Sequence, residues 1–349
     1  MSGHALPHYD AVVATCNRPE ALRMSLPLLV SQTKPPQRLI VVDSSDDHQA
    51  VCDTVGQAVI GFNGQTEIIR SKRGLTYQRN VGLKHVQEAI VFFPDDDSLF
   101  YPDASEHILR AYHADKAETV GGVCAAEAVS MPGELEESYA LSTSDKIKKK
   151  LIGAKRTLES WVAPDPFLTL GQELMRRRAA PAWLEAQNAV LVESMTGFRM
   201  TYRTEAIKKA QFPEAFVNYG LFEDTEASFS ILQNYHLVGA RNAQIYHHRF
   251  PGARGSGYYM GLAAALNRTY IIAKHAGPDS AARRDLYKYH RYTLARYVMT
   301  ATDAFGRDRA RGYREALKFT AALLAANEGG LDELYERIWN GSSEKAVAA

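Results

Sequence analysis

Short apolar runs alternate with helix-patterned segments through the first hundred residues, and each run stops at a polar cluster. No other feature constrains the fold as much. Residues 9–15, 38–43, 67–70 and 89–93 are the runs, and the last ends in Asp95-Asp96-Asp97. Short, mostly apolar runs that stop at a polar cluster read as buried strands of a parallel sheet. Between them, residues 19–32 carry Leu22, Leu26, Leu29 and Val30 at helical spacing before Pro35-Pro36 breaks the pattern. Residues 46–56 and 77–86 read as two further helices. Strand, helix and strand repeated at this spacing imply right-handed crossovers, and ligands of such sheets bind beyond the carboxyl ends of the strands. The polar residues there are Thr15, Asn17, Asp43 and Asp95 to Asp97.

Beyond this α/β half the pattern changes. Residues 133–178 are polar, with Lys146, Lys148, Lys149, Lys150, Lys155 and Arg156 among Ile147, Leu151, Leu158 and Trp161. Such a stretch reads either as a solvated helix packed by one face or as a basic amphipathic helix on an anionic membrane surface. Residues 189–202 return to strand-like alternation. After residue 255 the chain reads as helices over 258–275, 278–304 and 309–327, closed by Gly329-Gly330. The expected division is 1–110 and 111–253 as two halves of one α/β domain, with 254–349 as a helical extension.

Composition narrows the class. With 46% apolar and 23% charged residues the 349-residue chain is neither disordered nor fibrous. Cys16, Cys52 and Cys124 are three in number and lack metal-ribbon spacing, which fits a reducing cytoplasm better than a disulfide framework. The first residues lack the basic and apolar regions of a signal peptide. The longest clean apolar run, 319–326, is far short of the about 20 residues a spanning helix needs. A cytoplasmic protein, at most peripheral to the inner face of the membrane, is expected. Net charge is only +1, yet residues 254–318 hold 13 Lys/Arg against 5 Asp/Glu, leaving −7 for the remainder. That asymmetry points to an anionic partner near the C-terminal third.

Three clusters carry chemistry. Three successive carboxylates, Asp95, Asp96 and Asp97, repel one another unless a positive charge sits among them. On an extended backbone Asp95 and Asp97 point to one side about 6–7 Å apart, within reach of one hard cation such as Mg²⁺ or Mn²⁺. A solvated acidic turn is the alternative. Phe222-Glu223-Asp224 fits either a helix start stabilised by its dipole or a carboxylate general base. His247 and His248 end a strand-like run, and since adjacent strand residues point opposite ways, at most one joins a given metal.

Together these motifs resemble family-2 glycosyltransferases of the GT-A fold. The resemblance rests on Thr15-Cys16-Asn17-Arg18-Pro19, Asp43-Ser44-Ser45-Asp46, Gly74 to Gly82, Asp95-Asp96-Asp97, Met195-Thr196-Gly197-Phe198-Arg199, Phe222-Glu223-Asp224 and His247-His248, in order, over roughly residues 9–275. It implies a Rossmann-like, mostly parallel sheet flanked by helices. It also implies a bacterial, non-processive, inverting hexosyl- or deoxyhexosyltransferase of cell-surface polysaccharide synthesis, using Mn²⁺ or Mg²⁺. By residue, it implies that Thr15, Asn17, Arg18, Asp43, Arg73, Arg79, Asp95 and Asp96 hold a UDP-, dTDP- or GDP-sugar. Asp97, Asp95 and one of His247 or His248 then hold the metal. Asp224 is the implied base, and Gly197, Phe198 and Glu223 face a glycan or lipid-linked acceptor.

Two departures bear on this. Asp43-Ser44 stands where many members carry two acids, which leaves base selectivity open, and no Gln-x-x-Arg-Trp of the processive synthases occurs. A pyrophosphorylase would want a Gly-rich phosphate loop after the first strand, and a Rossmann dehydrogenase a GxGxxG. Neither is present. A non-catalytic sugar-nucleotide or membrane-surface module is the alternative of a different class. For Arg283, Arg284, Lys288, Arg291 and Arg296 three readings stay open: a lipid-pyrophosphate site, a homodimer interface, or a solvated face. No nucleic-acid partner is expected.

Overall fold

The apolar runs become neighbouring strands of a single nine-stranded sheet. The computed structural model describes residues 5–133, 162–217, 219–250 and 255–347. In chain order the first half contains β1 (Tyr9–Thr15), α1 (Pro19–Val30), β2 (Arg38–Asp43), α2 (His48–Ala58), β3 (Gln65–Arg70), α3 (Leu75–His85), β4 (Ile90–Phe93), β5 (Ser98–Phe100), α4 (Ala104–Ala114) and β6 (Val120–Glu127). Then follow α5 (Pro166–Met175), β7 (Ala189–Leu191), β8 (Met200–Arg203), α6 (Thr204–Ala210), α7 (Glu223–Leu232) and β9 (His236–His247). The remaining helices are α8 (Gly257–His275), α9 (Ala281–Met299), α10 (Ala304–Leu317), α11 (Thr320–Ala325) and α12 (Glu328–Val347).

The strand order is β3-β2-β1-β4-β8-β6-β9-β5, with β7 also on β9. From β3 to β4 all pairs are parallel, as the apolar runs predict; beyond β4 the sheet is mixed, with β8 antiparallel to both β4 and β6. Parallel register sets Thr15 beside Asp43 and Asp43 beside Arg70, and Ala14 bridges to Asp95. The polar strand ends therefore line one edge. Beneath them Tyr9 stacks on Phe92 at 3.9 Å, and Val41, Leu39 and Leu22 are sealed from solvent in the same core.

The chain divides into two compact units, residues 1–134 with 174–252, and residues 135–173 with 253–349. The lysine-rich segment 146–156 lies outside the described residues. Within the second unit, α8 and α10 pack through glycines. A Cβ at Gly261 would meet the Arg309 carbonyl oxygen at 2.0 Å, and one at Gly312 the Tyr258 carbonyl oxygen at 2.1 Å. A buried chain of hydrogen bonds runs from Thr269 Oγ1 to His290 Nε2 (3.0 Å) and from His290 Nδ1 to the Tyr313 hydroxyl (2.7 Å).

One sequence expectation fails here. Gly329-Gly330 does not end the helical region but opens α12, because the Asn327 side chain accepts the Gly330 N–H (3.0 Å) and caps that turn. In the middle of the chain, residues 189–202 form two short strands, separated by a 3₁₀ turn at Gly197–Arg199, rather than one.

Gly261→Ala tests the close packing. Alanine favours the helix by about 1 kcal/mol, but overpacking against a fixed backbone costs typically about 1–3 kcal/mol and occasionally more. Thermal unfolding of the variant is expected below wild type. Gly341→Ala, with open space around its Cβ, is expected at or slightly above wild type. An unchanged midpoint for Gly261→Ala would show that the helices separate at no cost.

Candidate active site

The three acids after β4 lie in a tight turn, not on an extended strand: the Ser98 N–H donates to the Asp95 carbonyl (3.1 Å), and β5 begins at once. The turn converges Asp95 and Asp97 where an extended strand would hold them apart. Because β5 runs antiparallel to β9 with Ser98 opposite His247, the imidazole joins them. One ligand atom each from Asp95, Asp97 and His247 lies within 4.8 Å of the others. His248 is not in that group.

His247 is fixed from both sides. Its ring stacks on Phe198 with centroids 4.5 Å apart and planes 10° from parallel, and its Nε2 lies 3.5 Å from Asp97 Oδ1. Phe198 is in turn held by the Ser98 hydroxyl, which donates to its carbonyl (2.7 Å).

Two guanidinium groups neutralise the acids. Arg18 donates to Asp96 Oδ1 (2.7 Å), to Asp97 Oδ2 (2.8 Å) and to the Phe250 carbonyl (2.8 Å). Arg79, only 2% exposed, donates to Asp95 Oδ1 (2.7 Å) and Glu223 Oε1 (2.6 Å). With both arms committed, Arg79 positions Asp95 and Glu223 rather than presenting a free cation. Burial pushes Asp97 up, but His247, Arg18 and the Phe250 N–H outweigh it and hold its carboxyl at about 2. Burial raises Asp96 against the attraction of Arg18, with Thr15 Oγ1 donating to it (2.9 Å). Burial, with the neighbouring Asp224, drives Glu223 up to about 8 despite Arg79.

Asp224 sits in the first turn of α7. Phe222 before it takes a left-handed backbone (φ 71°), which turns the chain into the helix. Asp224 Oδ2 accepts the Gly197 N–H (2.9 Å), and Oδ1 the Thr225 N–H (2.6 Å). Burial raises its pKa, and the Gly197 N–H and Arg79 pull the other way. A raised carboxylate is the better proton acceptor near neutral pH. Gly197 is closely surrounded: a Cβ there would lie 3.2 Å from Arg79 NH2 and 3.6 Å from Asp95 Oδ1. It links Asp224 to the acidic turn.

The remaining residues form a rim at the ends of β1 and β2. Asn17, left-handed at φ 56°, and Asp46 bond reciprocally through the Asn17 amide and the Asp46 N–H. Arg73 donates to Asp46 Oδ1 (2.6 Å). Asp43 is fully buried, with Oδ1 on the Ser45 N–H and Oδ2 on His48 (2.6 Å) and Arg70 (3.1 Å). His48 and Arg70 were not singled out in sequence, although the register of β2 with β3 predicts Arg70 beside Asp43. Gln78, also missed, ties β1 to β2 by donating to the Thr15 and Val42 carbonyls. Phe250 contributes its backbone N–H and carbonyl, and its ring lies under the Arg18 guanidinium at 5.6 Å.

Arg79→Met tests the first bridge. It leaves the buried Glu223 and the half-buried Asp95 without a partner, and breaking a fully buried pair costs about 3–5 kcal/mol, an upper bound here. Urea unfolding should show the loss, and Arg79→Lys, which cannot bridge both acids, should recover only part of it. Equal stability of Arg79→Met and wild type would mean that the carboxylates simply take up protons.

Residues 10–178 match the family profile described as glycosyl transferase family 2. Among curated proteins no sequence match is found. The fold is similar to that of Staphylococcus aureus TarS 1–349 in complex with UDP-GlcNAc, at 13% identity over 97% of this chain and 92% of that chain, with a TM-score of 0.54. It is also similar to GalNAc-T7 with UDP, GalNAc and Mn²⁺, at 12% identity over 91% of this chain and 57% of that chain, TM-score 0.53. At such identities the likeness speaks to the fold. With the mixed sheet it shows a GT-A-type fold, and residues 10–178 carry the match to the family-2 glycosyltransferases.

Proposed function

We propose that the enzyme transfers one sugar, with inversion, from a nucleotide-sugar donor to a hydroxyl of a glycan or lipid-linked acceptor, with Mn²⁺ or Mg²⁺ at Asp95, Asp97 and His247. The observation that carries this reading is the Asp–Asp–His group with Asp97 Oδ1 buried and without a hydrogen bond, close to Asp224 through Gly197. An orphaned carboxylate oxygen facing an imidazole fits a cation, and two carboxylates with one imidazole suit Mn²⁺. The bound ligands of the two similar structures, UDP-GlcNAc and UDP with Mn²⁺, support a nucleotide-sugar donor and a divalent ion. When bound, such an ion stabilises charge on the leaving diphosphate.

The chain's own residues do the rest. Asn17, Arg18 and Arg73 form the rim that receives the nucleotide, with the buried Thr15 and Asp43 beneath it holding the strand ends, Asp95 and Asp96 towards the donor and Arg79 behind them. Gly197, Phe198 and Glu223 border the acceptor side. Asp224, oriented by the Gly197 and Thr225 N–H groups, takes the acceptor hydroxyl proton. The acceptor oxygen bonds to the anomeric carbon as the carbon–phosphate-oxygen bond breaks, and one displacement inverts that centre.

Two variants test it. Asp97 is only 4% exposed and bonded to Arg18, so Asn is the conservative change. Calorimetry of UDP, dTDP and GDP should show Mn²⁺-dependent binding in wild type that Asp97→Asn loses; equal affinity with Mn²⁺ and with EDTA in wild type removes the metal from the proposal. Asp224→Asn should keep donor affinity while transfer falls at least about 10²-fold, the signature of an interaction made in the transition state. Near wild-type transfer would mean that the base is another group.

A further inference from the structure

We propose that the exposed face of α9, with the first turn of α10, docks the protein peripherally on a bilayer bearing anionic headgroups. α9 buries Ala282, Leu286, His290 and Thr293. Its opposite face presents Arg284, Lys288 and Arg291, with Arg296 on the flank, all exposed. Along the same stripe lie apolar side chains that solvent does not favour: Tyr287 (46% exposed), Val298 (48%) and Met299 (76%), with Phe305 (46%) in the first turn of α10. Cations above and apolar groups at one end make up the composition of a helix that lies in a membrane interface. Long basic side chains extend to headgroups while their stems cover apolar surface.

The charge of this face is one-signed. The acid within α9, Asp285, is half-buried, accepts the Thr169 hydroxyl (2.9 Å) and lies 3.4 Å from Lys288. Just beyond the helix, Asp303 caps α10 through the Gly306 N–H, and Asp308 pairs with Arg311. Asp279 flanks the N-terminal end, where Arg284 donates to its carbonyl (2.6 Å). Arg283, grouped with the others by sequence, is withdrawn: it donates to the carbonyls of Ala273, Ala276 and Leu324 and serves the fold. The occupant follows from complementarity. A second copy of the chain meeting this face about a two-fold axis would oppose cation to cation. An anionic bilayer matches the charge and also accepts Val298, Met299 and Phe305. No helix among the described residues is long and apolar enough to cross a membrane, so the contact is one of lying on it.

The test uses the full chain and sedimentation with phosphatidylcholine vesicles, with or without phosphatidylglycerol. Wild type should bind the phosphatidylglycerol vesicles at low ionic strength and release as salt shortens the screening length to about 8 Å at physiological strength. Reversing Arg291 and Arg296 together (Arg291→Glu with Arg296→Glu) should weaken partitioning by about tenfold or more. Met299→Asp should weaken it at every salt concentration. Thermal midpoint and UDP binding of these variants should match wild type, which separates lost docking from lost folding. Equal partitioning of wild type and the double variant, or no binding to phosphatidylglycerol at low salt, would overturn the proposal. So would a lipid-independent dimer, seen by light scattering, that the double variant dissociates.

Discussion

The acidic turn after β4 depends on two arginines. Three consecutive carboxylates in a mostly buried turn are prohibitive by themselves, since burying each charge costs several kcal/mol or more without a partner. Arg18 spans Asp96 and Asp97, and Arg79 spans Asp95 and Glu223. Each fork satisfies two acids at once, which an ammonium cannot do with the same geometry. The bridges also carry information across the chain, because Arg79 joins α3 to the acidic turn and to the start of α7. The candidate base and the candidate metal ligands are thereby set in one frame.

That frame hangs on sheet register. Thr15, Asp43 and Arg70 are adjacent because β1, β2 and β3 are parallel and in step. His247 reaches Asp97 because β5 and β9 pair antiparallel with Ser98 opposite it. A slip of one residue would turn His247 away and present its neighbour on the other face. Close contacts without side chains complete the arrangement. Gly197 sits close against Arg79 and Asp95 while its N–H holds Asp224, and in the second unit Gly261 and Gly312 let α8 and α10 touch backbone to backbone.

The α9 face follows a different logic. Its buried side is specified by local packing and by the His290 hydrogen bonds, while its outer side is free of that demand and collects cations and exposed apolar groups. A surface that a folded chain keeps both basic and apolar is explained by what it meets, not by what it packs against.

Sequence alone determined the elements whose cause is local. Apolar runs of strand length, helical spacing and proline breaks placed β1 to β4 and α1 to α3 within a few residues; β1, β2 and β4 are buried parallel strands with no polar face to confuse the pattern, whereas β3, expected buried, lies at the sheet edge and stays partly exposed. Acid runs and histidine pairs were legible because such residue types are rare at strand ends unless something requires them. Partnership was decided only by tertiary structure. Nothing local says that Arg79 spends its charge on Glu223, 144 residues away, that Asp43 is sealed by His48 and Arg70, or that the turn after β4 rather than an extended strand gathers Asp95 and Asp97. Nor could it say that Arg283 caps carbonyls while Arg291 faces outward. Local pattern records how each segment prefers to fold, whereas the pairing of charges is fixed by which segments the sheet brings side by side.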